Sequence, residues 1–106
     1  MKAGRPSKYK ESYCDGIVEH MSEGHTALSY AILIGVSRDT LYGWAKRHPE
    51  FKHAFEVARL KAEAWWEEQG RIGMLKPRFP ARLWIFVMKS RFGWRENGTR
   101  RWGRSP

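Results

Sequence analysis

Gly35 stands between two short helical patterns and leaves almost no chain for a connection between them. The pattern before it is apolar, with Ala27, Leu28, Tyr30, Ala31, Ile32, Leu33 and Ile34, and it opens on Thr26, a residue type that caps helix N-termini. The pattern after it opens on Ser37, a second capping residue. It carries Asp39 in its first turn, where the helix dipole favours negative charge, and it ends before Pro49. Two helices joined this tightly must cross at a steep angle. Such a crossing needs a small residue in the first helix, a residue tolerant of positive φ at the turn, and apolar anchors on both sides. Ala31 is the small residue and Gly35 the turn. Ile34 and Val36 flank it, and Leu41 and Trp44 point the second helix inward. Segment 26–48 therefore predicts a helix-turn-helix.

The remaining patterns are also helical. Over 11–23, Tyr13, Ile17 and Met21 recur every four residues beside Cys14 and Val18, and Gly24 closes the pattern. Glu11, Asp15, Glu19 and Glu23 repeat on the same spacing and read as a solvated acidic face. The longest pattern runs over 50–69, with Phe51, Phe55, Ala58, Ala62, Trp65 and Trp66 forming a wide apolar stripe, and Gly70 and Gly73 are expected to end it. A proline-bearing loop over 74–80 leads to the dense apolar run at 83–88. Periodicity alone does not separate a helix from a strand there. Pro80 suits a helix start and no partner strand is visible, so 81–92 is read as helix. The expected fold is all-α: an N-terminal three-helix unit containing the helix-turn-helix, a long helix, and a shorter C-terminal helix. Three regions follow. Residues 1–49 form a basic arm and the helix-turn-helix, 50–92 a helical packing or oligomerisation region, and 93–106 a basic flexible tail.

Charge narrows the partner. The net charge is +9, and it is segregated: 71–106 holds ten Lys or Arg against one acidic residue. A polyanion, nucleic acid above all, fits such a balance. Other classes find little support. A single cysteine, Cys14, allows no internal disulfide and no multi-cysteine metal site, and fits a reducing cytoplasm. No apolar run approaches the roughly 20 residues of a membrane span, and no secretory leader is expected. His20, His25, His48 and His53 lack zinc spacing, and no phosphate-binding glycine loop is present. Neither catalysis nor a cofactor or metal is expected.

If the helix starting at Ser37 enters a DNA major groove, its outward residues are the reading surface. Arg38, near the N-terminus, is placed to read guanine bidentately. Ser37, Thr40 and Tyr42 can bond phosphates or bases, Asp39 shares the outward face, and Gly43 admits close backbone approach. Lys46 and Arg47 suit phosphate, which positions without specifying. Arg5 and Lys8 of the arm can reach a neighbouring groove. In the tail, Trp94 and Trp102 among arginines suit either stacking on bases or docking to a protein.

Gly4-Arg5-Pro6-Ser7-Lys8-Tyr9 and the block from Gly35 through Val36, Ser37, Arg38, Asp39, Thr40, Leu41, Tyr42 and Gly43 to Trp44 resemble the small subunits of bacteriophage and prophage terminases. So do His48-Pro49-Glu50-Phe51, Ala64-Trp65-Trp66-Glu67 and the stretch from Leu83-Trp84-Ile85-Phe86 to Phe92-Gly93-Trp94-Arg95. The resemblance implies a non-catalytic subunit that recognises double-stranded viral DNA through its helix-turn-helix. It also implies a homo-oligomer, commonly a ring, that hands DNA to a large ATPase and nuclease subunit in the bacterial host cytoplasm. Under it, Phe51, Phe55, Ala58, Ala62, Trp65 and Trp66 would mediate self-association, and the C-terminal segment would meet the large subunit. A helix-turn-helix transcription regulator, dimeric on paired half-sites, is the alternative expectation. The DNA-binding part of a recombinase is a third, but no catalytic acidic cluster is in the sequence to serve it.

Overall fold

A computed structural model describes residues 8–95, and these are all-helical. Five helices are present among them: α1 (Ser12–Met21), α2 (Ala27–Ile34), α3 (Arg38–Arg47), α4 (Pro49–Gly73) and α5 (Ala81–Phe92). The segment 81–92 is thus helix, as expected. No helix among the described residues is long and apolar enough to cross a membrane. Two compact units divide the chain, one up to Ala64 and one from Trp65. The packing division therefore falls inside α4 rather than at its start. Pro49 opens a helix, but the first half of that helix supplies core residues to the N-terminal unit.

In the N-terminal unit the capping residues do what their chemistry allows. The Thr26 hydroxyl accepts the Ser29 amide at 3.0 Å, and the Ser37 hydroxyl accepts the Thr40 amide at 3.1 Å. Between α2 and α3, Gly35 adopts φ 80°. The Val36 amide then reaches the Ala31 carbonyl at 2.9 Å and the Gly35 amide reaches Ile32, closing the last turn of α2. A Cβ at Gly35 would meet nothing, so the left-handed backbone, not crowding, is what calls for glycine. Gly16 has the opposite reason: a Cβ there would run into the Tyr30 hydroxyl, so its absence lets α2 close on α1. Burial pushes that hydroxyl's pKa up to about 12.

Aromatic rings tie this unit together. Trp44 of α3 stacks on Tyr13 of α1 at 5.2 Å and meets the edge of Phe51 of α4 at 5.7 Å. Phe51 continues to Phe55, on which Tyr42 stacks at 5.6 Å. Ile17, Met21, Ala31 and Leu41 fill the space beside them, all buried. Helix α2 is different. It is apolar on every side, yet only Tyr30 and Ala31 are buried, and Leu28, Ile32 and Leu33 face outward.

In the C-terminal unit α4 runs through Gly70 and stops at Gly73, four residues beyond the expected end. The reason is tertiary. A Cβ at Gly70 would collide with the Trp84 indole, and one at Gly73 with the Phe79 ring. Gly70 is a seat for an aromatic ring within the helix, and Gly73, where the helix ends, seats a second. The Trp84 indole N–H donates to the Trp66 carbonyl at 2.7 Å, fixing the ring on the helix. Gly93, at φ 73°, closes α5, and the Trp94 amide reaches back to the Met88 carbonyl. Trp94 then packs edge-on to Trp84 at 6.1 Å. It is half-buried, so its ring packs with the described fold. Arg100, Arg101, Trp102 and Arg104 lie outside the described residues.

Candidate nucleic-acid interface

Helix α3 is amphipathic because Leu41 and Trp44 are its only buried positions. At 100° per residue the opposite side is set by Asp39, Tyr42, Gly43 and Lys46, with Arg38 and Arg47 at its two edges. Arg38, Asp39, Tyr42, Lys46 and Arg47 are exposed, as is Ser37 at the cap, while Thr40 is half-buried. Ser37 and Thr40 also engage each other, their hydroxyl oxygens 2.9 Å apart. These two side chains complete the helix start and have fewer lone pairs and protons left for a ligand. Arg47 curls back over Gly43, with both terminal guanidinium nitrogens 3.5 Å from where a Cβ would stand. Gly43 is thereby half-covered by a cation rather than bare. Tyr42 presents one face outward while its other face lies on Phe55.

Beside this helix lies the start of the described chain. Tyr9 stacks on His48 with ring centroids 3.8 Å apart and planes within 8°. It sets its edge against Trp44 at 5.5 Å and Phe51 at 5.9 Å. Its hydroxyl donates to Glu50 at 2.7 Å and touches the Cys14 sulfur at 3.4 Å. Burial among these rings, then the Cys14 and Glu50 contacts, raise the hydroxyl's pKa far above its ordinary value. The same hydrogen bond holds the Glu50 carboxyl below the usual carboxylate range. Tyr9 thus anchors the chain at α3's C-terminal end and puts Lys8 on a shallow groove with Asp39, Thr40, Gly43 and Arg47. Arg5 lies outside the described residues. Sequence reasoning missed Tyr9 and His48. A single aromatic in a basic, proline-bearing arm has no periodicity, and its one signal was a tyrosine directly before the first helix.

Lys8, Arg38, Lys46 and Arg47 are exposed on α3 or on the groove beside it, with the carboxylates of Asp39 and, at Tyr9, of Glu50 near them. The acidic residues Asp15 and Glu19 of α1, and Glu11 at its N-cap, are exposed. Among the described residues no group of His, Cys, Asp and Glu is arranged to hold a metal ion.

Four of the six residues expected to mediate self-association lie in the chain's own interior. Phe51, Phe55, Ala58 and Ala62 are at most 6% exposed, and only Trp65 and Trp66 are half-buried. Packing within the chain thus covers Phe51, Phe55, Ala58 and Ala62 of the stripe. The C-terminal unit carries its cations differently. Arg71 pairs with Glu68, and Arg91 lies over the Trp66 and Phe92 rings at 5.9 Å and 5.0 Å. Comparison of the chain with protein-family models, with curated proteins and with solved structures yields no match.

Proposed function

We infer that this chain is a non-catalytic DNA-binding protein. In this reading α2 and α3 form a helix-turn-helix, and α3 is the helix that enters the major groove. One observation carries it. The face of α3 turned away from the core is polar and cationic, ends in a serine-capped N-terminus beside Arg38, and has Lys8 held next to its far end. The N-terminal part of a recognition helix is where base edges are contacted, while flanking cations neutralise phosphates. Gly35 and Ala31 supply the tight crossing such a helix pair needs.

The sequence resemblance extends the reading to the small subunit of a viral DNA-packaging terminase. It would be a homo-oligomer that recruits double-stranded DNA to a large ATPase and nuclease subunit in the bacterial cytoplasm. A discrete assembly larger than a tetramer in solution supports that extension, and a stable dimer favours a transcription regulator instead.

The test begins by selecting a preferred duplex from a random pool. Fluorescence anisotropy then compares it with an unrelated duplex over a range of salt. Arg38→Ala is expected to weaken the selected duplex by roughly 10- to 100-fold, the size of a lost bidentate base contact, with little change on the unrelated one. Lys46→Ala should weaken both alike and lower the salt slope by about one. Equal losses from Arg38→Ala on both duplexes would remove Arg38 from base reading. No binding to any duplex would end the reading.

A further inference from the structure

The C-terminal unit leaves an apolar face uncovered. Met74 and Leu75 on the turn after α4 are 76% and 82% exposed, and Leu83 and Phe86 of α5 are 61% and 64% exposed. Leu83 and Phe86 are three residues apart and share one side of α5, away from buried Met88 and Phe92. Every charge around them is positive. Arg82 and Lys89 lie beside them on α5, Arg78 precedes the helix, and no Asp or Glu occurs in 69–95. Side chains of this size, grouped and ringed by like charge, mark a contact surface. A duplex backbone offers nothing apolar to Leu83 and Phe86, so a protein surface of opposite charge fits better.

The N-terminal unit has the complementary surface. An open groove between α1 and the first half of α4 is lined by apolar Val18, Ala54 and Val57 and by Glu11, Asp15 and Glu50, with His53 beside them. Apolar side chains among three carboxylates are what an apolar stripe with cationic flanks requires.

We propose that α5 of one copy of this chain docks by its Leu83–Phe86 face into the α1–α4 groove of a second copy, cations against carboxylates. The proposal gives the self-association of the proposed function its surfaces and rests on that part of the reading alone, not on DNA binding. The two surfaces are different, so the contact is heterologous. Each copy that gives a face still has its groove open, and the contact passes from copy to copy.

Two surface variants test it, both at exposed positions and both checked for unchanged helical circular dichroism. Phe86→Asp spoils the face, and Asp15→Arg spoils the groove. Light scattering after size exclusion should show the wild-type chain associated and each variant alone at the single-chain mass of 12.5 kDa. An equimolar mixture of the two should give a dimer and nothing larger, because only one face and one groove remain to meet. A wild-type chain that stays at the single-chain mass up to about millimolar concentration overturns the proposal, as does wild-type association that both variants retain. In the latter case self-association survives through another surface. Variants of unchanged mass in which Phe86→Asp loses affinity for unrelated duplex assign the face to DNA and overturn the proposal. Anisotropy on the same samples reads the DNA-binding claim separately.

Discussion

Eleven of the thirteen buried apolar residues among those described lie at or before Ala62, and only Met88 and Phe92 come after. Exposed large apolar residues are nearly even: Leu28, Ile32, Leu33, Tyr42 and Leu60 in the N-terminal unit, Ile72, Met74, Leu75, Leu83, Ile85 and Phe86 in the C-terminal one, which therefore exposes more of them than it buries. Both units rest on a tryptophan. Trp44, though, is enclosed by Tyr9, Tyr13 and Phe51, from the arm and two helices, whereas Trp84 sits on one helix with Phe79 and Trp94 beside it. The N-terminal unit buries eleven apolar residues against five large ones exposed. The C-terminal unit leaves six large apolar side chains in water against two buried, and the docking proposed above would cover part of them.

The contrast breaks most visibly at Trp44. Trp44→Ala removes the ring on which Tyr9, Tyr13 and Phe51 converge and is expected to cost about 3–5 kcal/mol in denaturant unfolding. A loss under about 1 kcal/mol would mean that the rings close around the gap and that the N-terminal core is not centred there. Gly70→Ala probes the other unit. Alanine is the better helix former by up to about 1 kcal/mol, but its Cβ falls on the Trp84 indole, a rigid neighbour. The net effect expected is a loss of about 1–3 kcal/mol, seen in the C-terminal unit by hydrogen exchange while amides of α1 to α3 keep their protection. Stabilisation instead would show that the ring slides freely on the helix.

The smallest effect is in pH. His20 bonds to the Ser29 hydroxyl at 2.8 Å and stacks on His25 at 4.3 Å. Burial first, then the neighbouring His25, lower its pKa below 6.5 in the folded chain. The unfolded chain therefore takes up the proton first, so His20 contributes stability that is whole above pH 6.5 and is lost as pH falls from there toward the lowered value. Melting between pH 7.5 and 5.0 should drop less in His20→Gln than in the wild type. An identical drop would place the pH dependence elsewhere.

Local chemistry made much of this legible. Thr26, Ser37 and Gly35 act through their own side chains or backbone, so the limits of α2 and α3 follow from residue type. The outward set on α3 follows just as directly, because Leu41 and Trp44 fix the inward side. What was not legible depends on distant partners. Gly70 carries no sign that an indole from the next helix will rest on it. Nor does the periodicity of Phe51, Phe55, Ala58 and Ala62 say whether the surface that covers them belongs to the same chain. Trp94 looked like tail because glycine precedes it and arginines follow, while the bond from its amide to Met88 arises only once α5 has closed at Gly93.

Tyr9 has a consequence in time. A chain end normally frays on the nanosecond to microsecond scale, independently of the core. Here, release of the arm separates Tyr9 from His48, Trp44 and Phe51 at once and strands the Glu50 hydrogen bond. Lys8's place beside α3 therefore rests on the packing of one ring, and its release is slower than that of a chain end with no such anchor.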